Sequence, residues 1–209
     1  MRVITGIYKG RHFDIPRTFK ARPTTDFAKE NIFNVLGHYL DFENAVALDL
    51  FAGTGSITLE LLSRGCPEVV CVELDRDHHR FIMECLNKLS PAPEFVHKAT
   101  ANTPQQPDAA LPTTPQASPV GRILPLRADV FRFIKSCRQQ FDLIFADPPY
   151  ALPQLPTLPQ AILEGDILRP GGIFVFEHGK NNDFSSHPCF KEHRAYGSVN
   201  FSIFCKMPG

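Results

Sequence analysis

The sequence predicts a doubly wound α/β fold, a parallel sheet with helices on both faces, and three observations predict it. From residue 45 onward short apolar runs alternate with amphipathic stretches, the runs lying at residues 45–51, 68–74, 123–127, 141–146 and 172–177. That alternation is the pattern of buried parallel strands joined by helices. The first run ends in Asp49-Leu50-Phe51-Ala52-Gly53-Thr54-Gly55-Ser56, a glycine turn followed by a helical stretch at residues 57–63. Later runs end in acidic residues, and ligands of such sheets gather at the carboxyl ends of the strands.

Before the sheet, residues 2–15 have β character with a turn at Tyr8-Lys9-Gly10, and Asp26 is placed to cap a helix reaching Leu40 that carries Phe27, Ile32, Phe33, Leu36 and Tyr39. Residues 1–44 therefore read as a small cap on a catalytic core of residues 45–209, a β-hairpin and helix within a single domain. The cap is basic, with seven Lys and Arg against three acids between Met1 and Glu30. Residues 77–89 place Phe81, Ile82, Cys85, Leu86 and Leu89 at helical spacing, and Val130, Phe133, Ile134 and Cys137 repeat the pattern after Asp129. Near the end, residues 189–196 and 199–206 flank Gly197-Ser198 and predict an antiparallel hairpin at the sheet edge. Residues 90–121 hold 7 prolines in 32 positions. This stretch cannot bury enough apolar surface to offset its ordering entropy, and reads as a disordered insertion.

A chain of 209 residues with 43% hydrophobic and 21% charged residues is ordinary globular material, which excludes collagen-like, coiled-coil and wholly disordered classes. Apolar runs such as residues 45–48 and 173–176 fall far short of the roughly 20 residues of a membrane span. The opening residues lack a secretory leader, and the expected setting is the cytoplasm, with the chain acting as a monomer. Charge balances at 22 basic against 22 acidic residues. Cys66, Cys71, Cys85, Cys137, Cys189 and Cys205 show no C-x-x-C pair and read as buried thiols. No metal is expected, because the histidines converge on no ligand spacing and His187, Cys189 and His193 fall in a loop and edge strand.

The strand ends carry the chemistry. Glycines at 53 and 55 let a ligand approach the backbone, while Thr58 stands where a dinucleotide fingerprint wants its third glycine, which argues against nicotinamide or flavin. The second strand ends Val72-Glu73-Leu74-Asp75, and an acid 18 positions after Gly55 can accept hydrogen bonds from both ribose hydroxyls of an adenosine. The third ends at Asp129, an acceptor for an adenine amino group. Together these describe a pocket for an adenosine cofactor without a pyrophosphate, for which S-adenosylmethionine is the candidate. The fourth strand ends Asp147-Pro148-Pro149-Tyr150. A carboxylate, proline-fixed carbonyls and an aromatic face match the two N–H donors and flat ring of a nucleobase amine. Glu177-His178 reads either as a pocket rim or as an ordinary polar strand end.

This motif order resembles the S-adenosylmethionine-dependent amino-methyltransferases. More narrowly, Met1-Arg2-Val3-Ile4-Thr5-Gly6, Tyr8-Lys9-Gly10-Arg11, Arg22-Pro23-Thr24-Thr25-Asp26, Phe33-Asn34-Val35-Leu36, Asp49 through Gly55, Ser63-Arg64-Gly65 and Asp147-Pro148-Pro149-Tyr150 resemble the RsmD-type methyltransferases, which methylate guanine N2 in 16S ribosomal RNA. The resemblance implies a seven-stranded class I methyltransferase sheet and 16S rRNA, or an assembled small ribosomal subunit, as partner. It implies that Asp49, Phe51, Gly53 and Gly55 line the methionine side, Glu73 and Leu74 the ribose, and Asp129 with Val130 the adenine. Arg22, Pro23, Thr24 and Thr25 correspond to a motif over the cofactor at the substrate entrance. Lys9, Arg11 and Arg17 are phosphate-contact candidates alongside Arg22 and Thr24. Phe27 and Lys29 stand where the family string carries arginines, so altered RNA contacts are expected there. An adenine-N6 methyltransferase is the rival enzyme, and a non-catalytic RNA-binding or assembly module the rival of another class.

Overall fold

The computed structural model describes residues 1–19, 25–96 and 120–207. Its strands are β1 (Val46–Leu50), β2 (Glu68–Glu73), β3 (Glu94–Phe95), β4 (Arg122–Arg127), β5 (Phe141–Ala146), β6 (Leu168–His178), β7 (Phe190–Tyr196) and β8 (Val199–Cys205). Its α-helices are α1 (Asp26–Leu36), α2 (Ser56–Ser63), α3 (Arg76–Asn87), α4 (Val130–Ser136) and α5 (Leu158–Leu163). The strands form one sheet in the order β3-β4-β2-β1-β5-β6-β8-β7. Only β8 breaks the parallel run, lying antiparallel to both β6 and β7. From β1 the chain steps to β2 on one side, while β5 occupies the other. The carboxyl end of β1 is thus the switch point where such sheets open a ligand crevice.

Alternation along each strand feeds two cores. Ala47, Cys71, Phe145, Val175 and Ile203 face α1, α2 and α3, whereas Leu48, Val70, Ile144, Phe174 and Phe204 face α4 and α5. All eight residues of α2 are buried, because α1 and the N-terminal arm cover the side turned away from the sheet. Carboxylates start two helices: Asp75 accepts from Asp77 and His78 backbone N–H groups at α3, and Asp129 accepts from that of Arg132 at α4.

The structure corrects the expected outline in several places. The sheet has eight strands rather than seven. The extra one comes from the supposed insertion, since Glu94 and Phe95 pair in parallel with Arg122 and Ile123 and Val120 is buried in the core. The ends of that segment belong to the sheet, and residues 97–119 lie outside the described residues. The N-terminal hairpin reduces to one bridge, Arg2 with His12, flanked by Val3 N–H to Arg11 carbonyl and Gly10 N–H to Val3 carbonyl bonds, both 2.9 Å. Helix α1 stops at Leu36 before Gly37, four residues earlier than expected, and its cap is Thr25, whose hydroxyl accepts from Ala28 N–H. Asp26 instead sits in the first turn, paired with Arg2 at 3.0 Å. Helix α5 has no counterpart in the sequence reading, because six residues are too few for a period to show. The C-terminal hairpin is present as expected, turning at Gly197 with φ +65°.

Candidate active site

The turn after β1 is held in a conformation that side chains disfavour. Phe51 has φ +61°, Gly53 +54° and Gly55 +77°, and a Cβ on Gly55 would meet Ile82 of α3 at 3.0 Å. A bulky residue at positive φ is costly and marks a constrained site. Two carboxylates hold the turn. Glu73 Oε2 accepts from Gly53 N–H at 2.7 Å, while Oε1 accepts from Asp75 N–H at 2.8 Å. Asp49 Oδ2 accepts from both the backbone N–H and the hydroxyl of Thr58, at 2.9 and 2.6 Å. Thr58, in the sequence only a missing glycine, is therefore the clamp on Asp49. Burial pushes the Asp49 carboxyl up to about 7 against the pull of those two donors.

At the end of β5, Asp147 N–H reaches the Leu50 carbonyl at 3.4 Å, which extends the sheet by one residue and brings the Asp147-Pro148-Pro149-Tyr150 turn beside the glycine turn. Pro148 is buried. The Pro149 carbonyl accepts from Leu152 N–H at 2.9 Å, which assigns it to the turn and leaves the carbonyl role to Pro148. Tyr150 is 49% exposed, and its hydroxyl donates to Glu177 Oε1 at 2.9 Å. Burial, with the neighbouring Glu177 and Asp49 carboxyls, holds the Asp147 carboxyl well above the ordinary carboxylate range. Burial and the same Glu177 raise the Tyr150 phenol. The sequence leaves Glu177 open between a rim and an ordinary strand end; its acidic side chain at the end of a strand is the only signal there, without its partners.

The register explains the gathering. Asp49, Glu73, Asp147 and Glu177 each stand two positions from a residue of the α1–α2–α3 core, namely Ala47, Cys71, Phe145 and Val175. Period-two alternation therefore puts all four carboxyls on one face at the carboxyl ends of four neighbouring strands.

The remaining predicted residues scatter more widely. Leu74 is exposed beside Glu73, Val130 is buried at the start of α4, and Asp129 spends Oδ1 on its cap. Thr25 caps α1, whose Lys29 donates to Ser56 at the start of α2. Arg22, Pro23 and Thr24 lie outside the described residues. Lys9, Arg11 and Arg17 are all exposed. The turn bearing Lys9 and Arg11 is anchored on Ser63 through Ile7 and Tyr8 N–H groups at 2.8 and 3.0 Å, at the end of α2 remote from the glycine turn, about 12 Å along a helix of that length. Near Arg17 the chain has returned, since Phe19 packs on His78 and Phe81 of α3. Lys29 does not alter RNA contacts directly, because it is 1% exposed and donates to the Arg2 carbonyl and Ser56 hydroxyl at 2.6 and 3.0 Å. Phe27 is 65% exposed, against the edge of Tyr196. None of the six cysteines is joined in a disulfide, and Cys137, Cys189 and Cys205 are only half-buried. Among the described residues no group of three or more His, Cys, Asp or Glu could hold a metal, and no helix is long and apolar enough to cross a membrane.

A family model described as Conserved hypothetical protein 95 matches residues 1–114 and 122–205. The chain belongs to this family, the RsmD-type methyltransferases. Among relatives of this RsmD-type chain, Bacillus subtilis YlbH, named as a candidate rRNA methyltransferase, is 33% identical over 86% of the chain and 83% of YlbH. The ribosomal RNA small subunit methyltransferase D of Haemophilus influenzae is 27% identical over 87% of the chain and 80% of its own length. A solved structure of a hypothetical protein from Thermus thermophilus superposes with a TM-score of 0.72 at 23% identity, covering 98% of each chain. A T. thermophilus 16S rRNA N2 G1207 methyltransferase, solved with AdoMet and guanosine, superposes with a TM-score of 0.58 at 20% identity, over 90% of this chain and 45% of that one. These likenesses establish the class I methyltransferase fold.

Proposed function

We propose that the protein transfers a methyl group from S-adenosylmethionine to ribosomal RNA of the small subunit, at the exocyclic N2 amine of one guanine. The observation that carries this reading is the Asp147-Pro148-Pro149-Tyr150 turn seated beside the Gly53–Gly55 turn at the switch point of a sheet whose family is RsmD-type.

The residues present fit the cofactor. Gly53 and Gly55 present no side chain at the turn, Glu73 at the end of β2 retains acceptor capacity on both oxygens beyond its two amide bonds, and buried Asp49 offers a carboxylate to a cationic tail. Asp49, Phe51, Gly53 and Gly55 would hold the methionine part, Glu73 with Leu74 the ribose, and Asp129 with Val130 the adenine. When bound, S-adenosylmethionine supplies an electrophilic methyl on a sulfonium.

The chain's own residues prepare the nucleophile. An amine on a purine delocalises its lone pair into the ring. Hydrogen bonds from its two hydrogens to the Asp147 carboxylate and the Pro148 carbonyl draw that pair out of the ring and fix its direction. The exposed Tyr150 face supplies the stacking surface that holds the base flat. Asp147 then accepts the proton that the alkylated nitrogen must lose. Arg17 would meet phosphates, as would Arg22 and Thr24 by the family motif they match, with Lys9 and Arg11 further from the glycine turn.

The test is methyl transfer from labelled cofactor to small ribosomal subunits of a strain lacking this protein, followed by nucleoside analysis. N2-methylguanosine in 16S RNA is the expected product. N6-methyladenosine would replace the substrate assignment, and cofactor binding without transfer to particles or naked RNA would overturn the ribosomal one. Absence of cofactor binding would favour the assembly-module reading.

A further inference from the structure

One residue of the site has no part in the chemistry above, yet touches both residues that do. Glu177 is 5% exposed near the end of β6. The parallel register pairs Phe145 with Val175 and Ala146 with Phe176, so the next step sets Asp147 beside Glu177 on the same face. One Glu177 oxygen accepts from the Tyr150 hydroxyl at 2.9 Å, and the strand register sets the carboxyl beside that of Asp147. Two carboxyls hydrogen-bond each other only with a proton between them. The side chain that holds this proton decides whether Asp147 faces the substrate as acceptor or donor.

We propose that Glu177 is the positioning residue of the site: it carries the shared proton, so that Asp147 meets the amine as a carboxylate, and it fixes the Tyr150 ring through the phenol hydroxyl. This rests on the amine-methyltransferase reading. The arrangement satisfies every group, since Glu177 donates to Asp147 with one oxygen and accepts from Tyr150 with the other. The opposite assignment would leave Asp147 presenting a hydrogen to an amine that also presents hydrogens. The charged groups bearing on Asp147 are Glu177 from β6 and Asp49 from β1, both acidic, while Tyr150 faces the pair from the loop. His178 points to the other face, where its Nε2 meets the Ser202 hydroxyl at 2.8 Å, and it takes no part. After transfer, the N–H bond of the alkylated amine breaks with its electron pair kept on nitrogen, and an O–H bond forms on Asp147. The pair then holds two protons and returns one to water before the next turnover.

The experiment compares wild type, Glu177→Gln, Glu177→Leu and Asp147→Ala in methyl transfer to small subunits between pH 6 and 9, with cofactor affinity measured separately. A glutamine reproduces the protonated glutamate, its amide N–H donating to Asp147 and its oxygen accepting from Tyr150. Glu177→Gln should keep kcat within about threefold, and the alkaline fall that follows loss of the shared proton should be absent from its profile up to pH 9, because the amide cannot lose that proton. Glu177→Leu should lose about 10² in kcat, with cofactor affinity unchanged. Coincident pH profiles for wild type and Glu177→Gln, or a Glu177→Leu rate equal to wild type while Asp147→Ala is dead, would overturn the proposal and spare the enzyme reading. If wild type itself transfers nothing, infrared spectra still decide. A protonated-carboxyl band at pH 7 lost in both Glu177→Gln and Asp147→Asn supports the shared proton, and a band untouched by either substitution refutes it.

Discussion

Glu60 and Asp147 are both acids packed on the same face of the sheet, yet Glu60 is surrounded by donors and Asp147 by other acids. Glu60 is 0% exposed in α2 and accepts from Ile4 and Thr5 N–H groups at 2.9 and 3.1 Å and from Arg64 Nε at 3.0 Å, with Lys29 Nζ at 3.6 Å. The Arg64 guanidinium also lies over the Phe33 ring at 4.6 Å. Burial lowers the Lys29 ammonium, and Glu60 pulls it back up. This knot ties the N-terminal arm and α1 to α2, and its charges are answered within the fold. Around Asp147 the fold supplies Glu177 and Asp49 instead, and both push its carboxyl upward. Buried charge is costly unless paired. Where the protein needs a fixed shape it pairs the charge, and where it needs a reactive acceptor it leaves the compensation to a proton or a ligand.

Breaking each half should therefore have opposite consequences. Asp147→Ala removes the amine acceptor and relieves a crowd of acids. Methyl transfer should fall by about 10³ or more, with cofactor affinity within about threefold and an unfolding midpoint equal to or above wild type. Loss of cofactor binding in that variant would defeat the division of roles. Glu60→Ala strands two buried cations and two N–H groups, and should cost about 3–5 kcal/mol in urea unfolding at neutral pH. An unchanged midpoint would show that the knot is not what fastens the arm.

Two finer changes probe the boundary between these regimes. Glu73→Ala frees Gly53 N–H and removes the ribose acceptor, so cofactor affinity measured by calorimetry should drop by about 10 to 100-fold, with the turnover of saturated enzyme changed far less. Asp49 tests pH. Its folded carboxyl is raised to about 7 from about 3.9 in an unfolded chain, so its stabilisation is full below about pH 4 and is lost as pH rises through 7. Asp49→Asn keeps an oxygen for the two Thr58 donors and removes that titration. Its melting temperature should exceed wild type at pH 8 by about 2–4 °C and converge toward it at pH 5. Parallel melting curves across that range would exclude Asp49 as the titrating group.

Much of the architecture was legible in the linear chain. The run at residues 141–146 coincides with β5, and those at 45–51 and 68–74 each exceed β1 and β2 by one or two residues. The strand at Glu94–Phe95 was not legible, because prolines on both sides and only two residues leave no alternation to see, and its pairing with β4 spans more than twenty residues. Among the candidate site residues, the glycine turn and the strand-end acids announced themselves through spacing. Glu177 did not, since an acid at a strand end has meaning only when its neighbours are known. Lys29 misled for the same reason: a lysine where the family string carries arginine looks like surface until the packing of α1 against α2 is seen to bury it.

The sequence by itself determined the doubly wound class, the order of strand ends and the kind of chemistry those ends offer, because hydrophobic period and turn residues act locally and are written in neighbouring positions. Tertiary structure alone decided the partners: Glu177 with Asp147 and Tyr150, Thr58 with Asp49, Lys29 with Glu60, and the removal of Lys9 and Arg11 to the far end of α2. Those pairings depend on register between strands and on which helix face is covered, and both are settled by packing among residues distant in the chain.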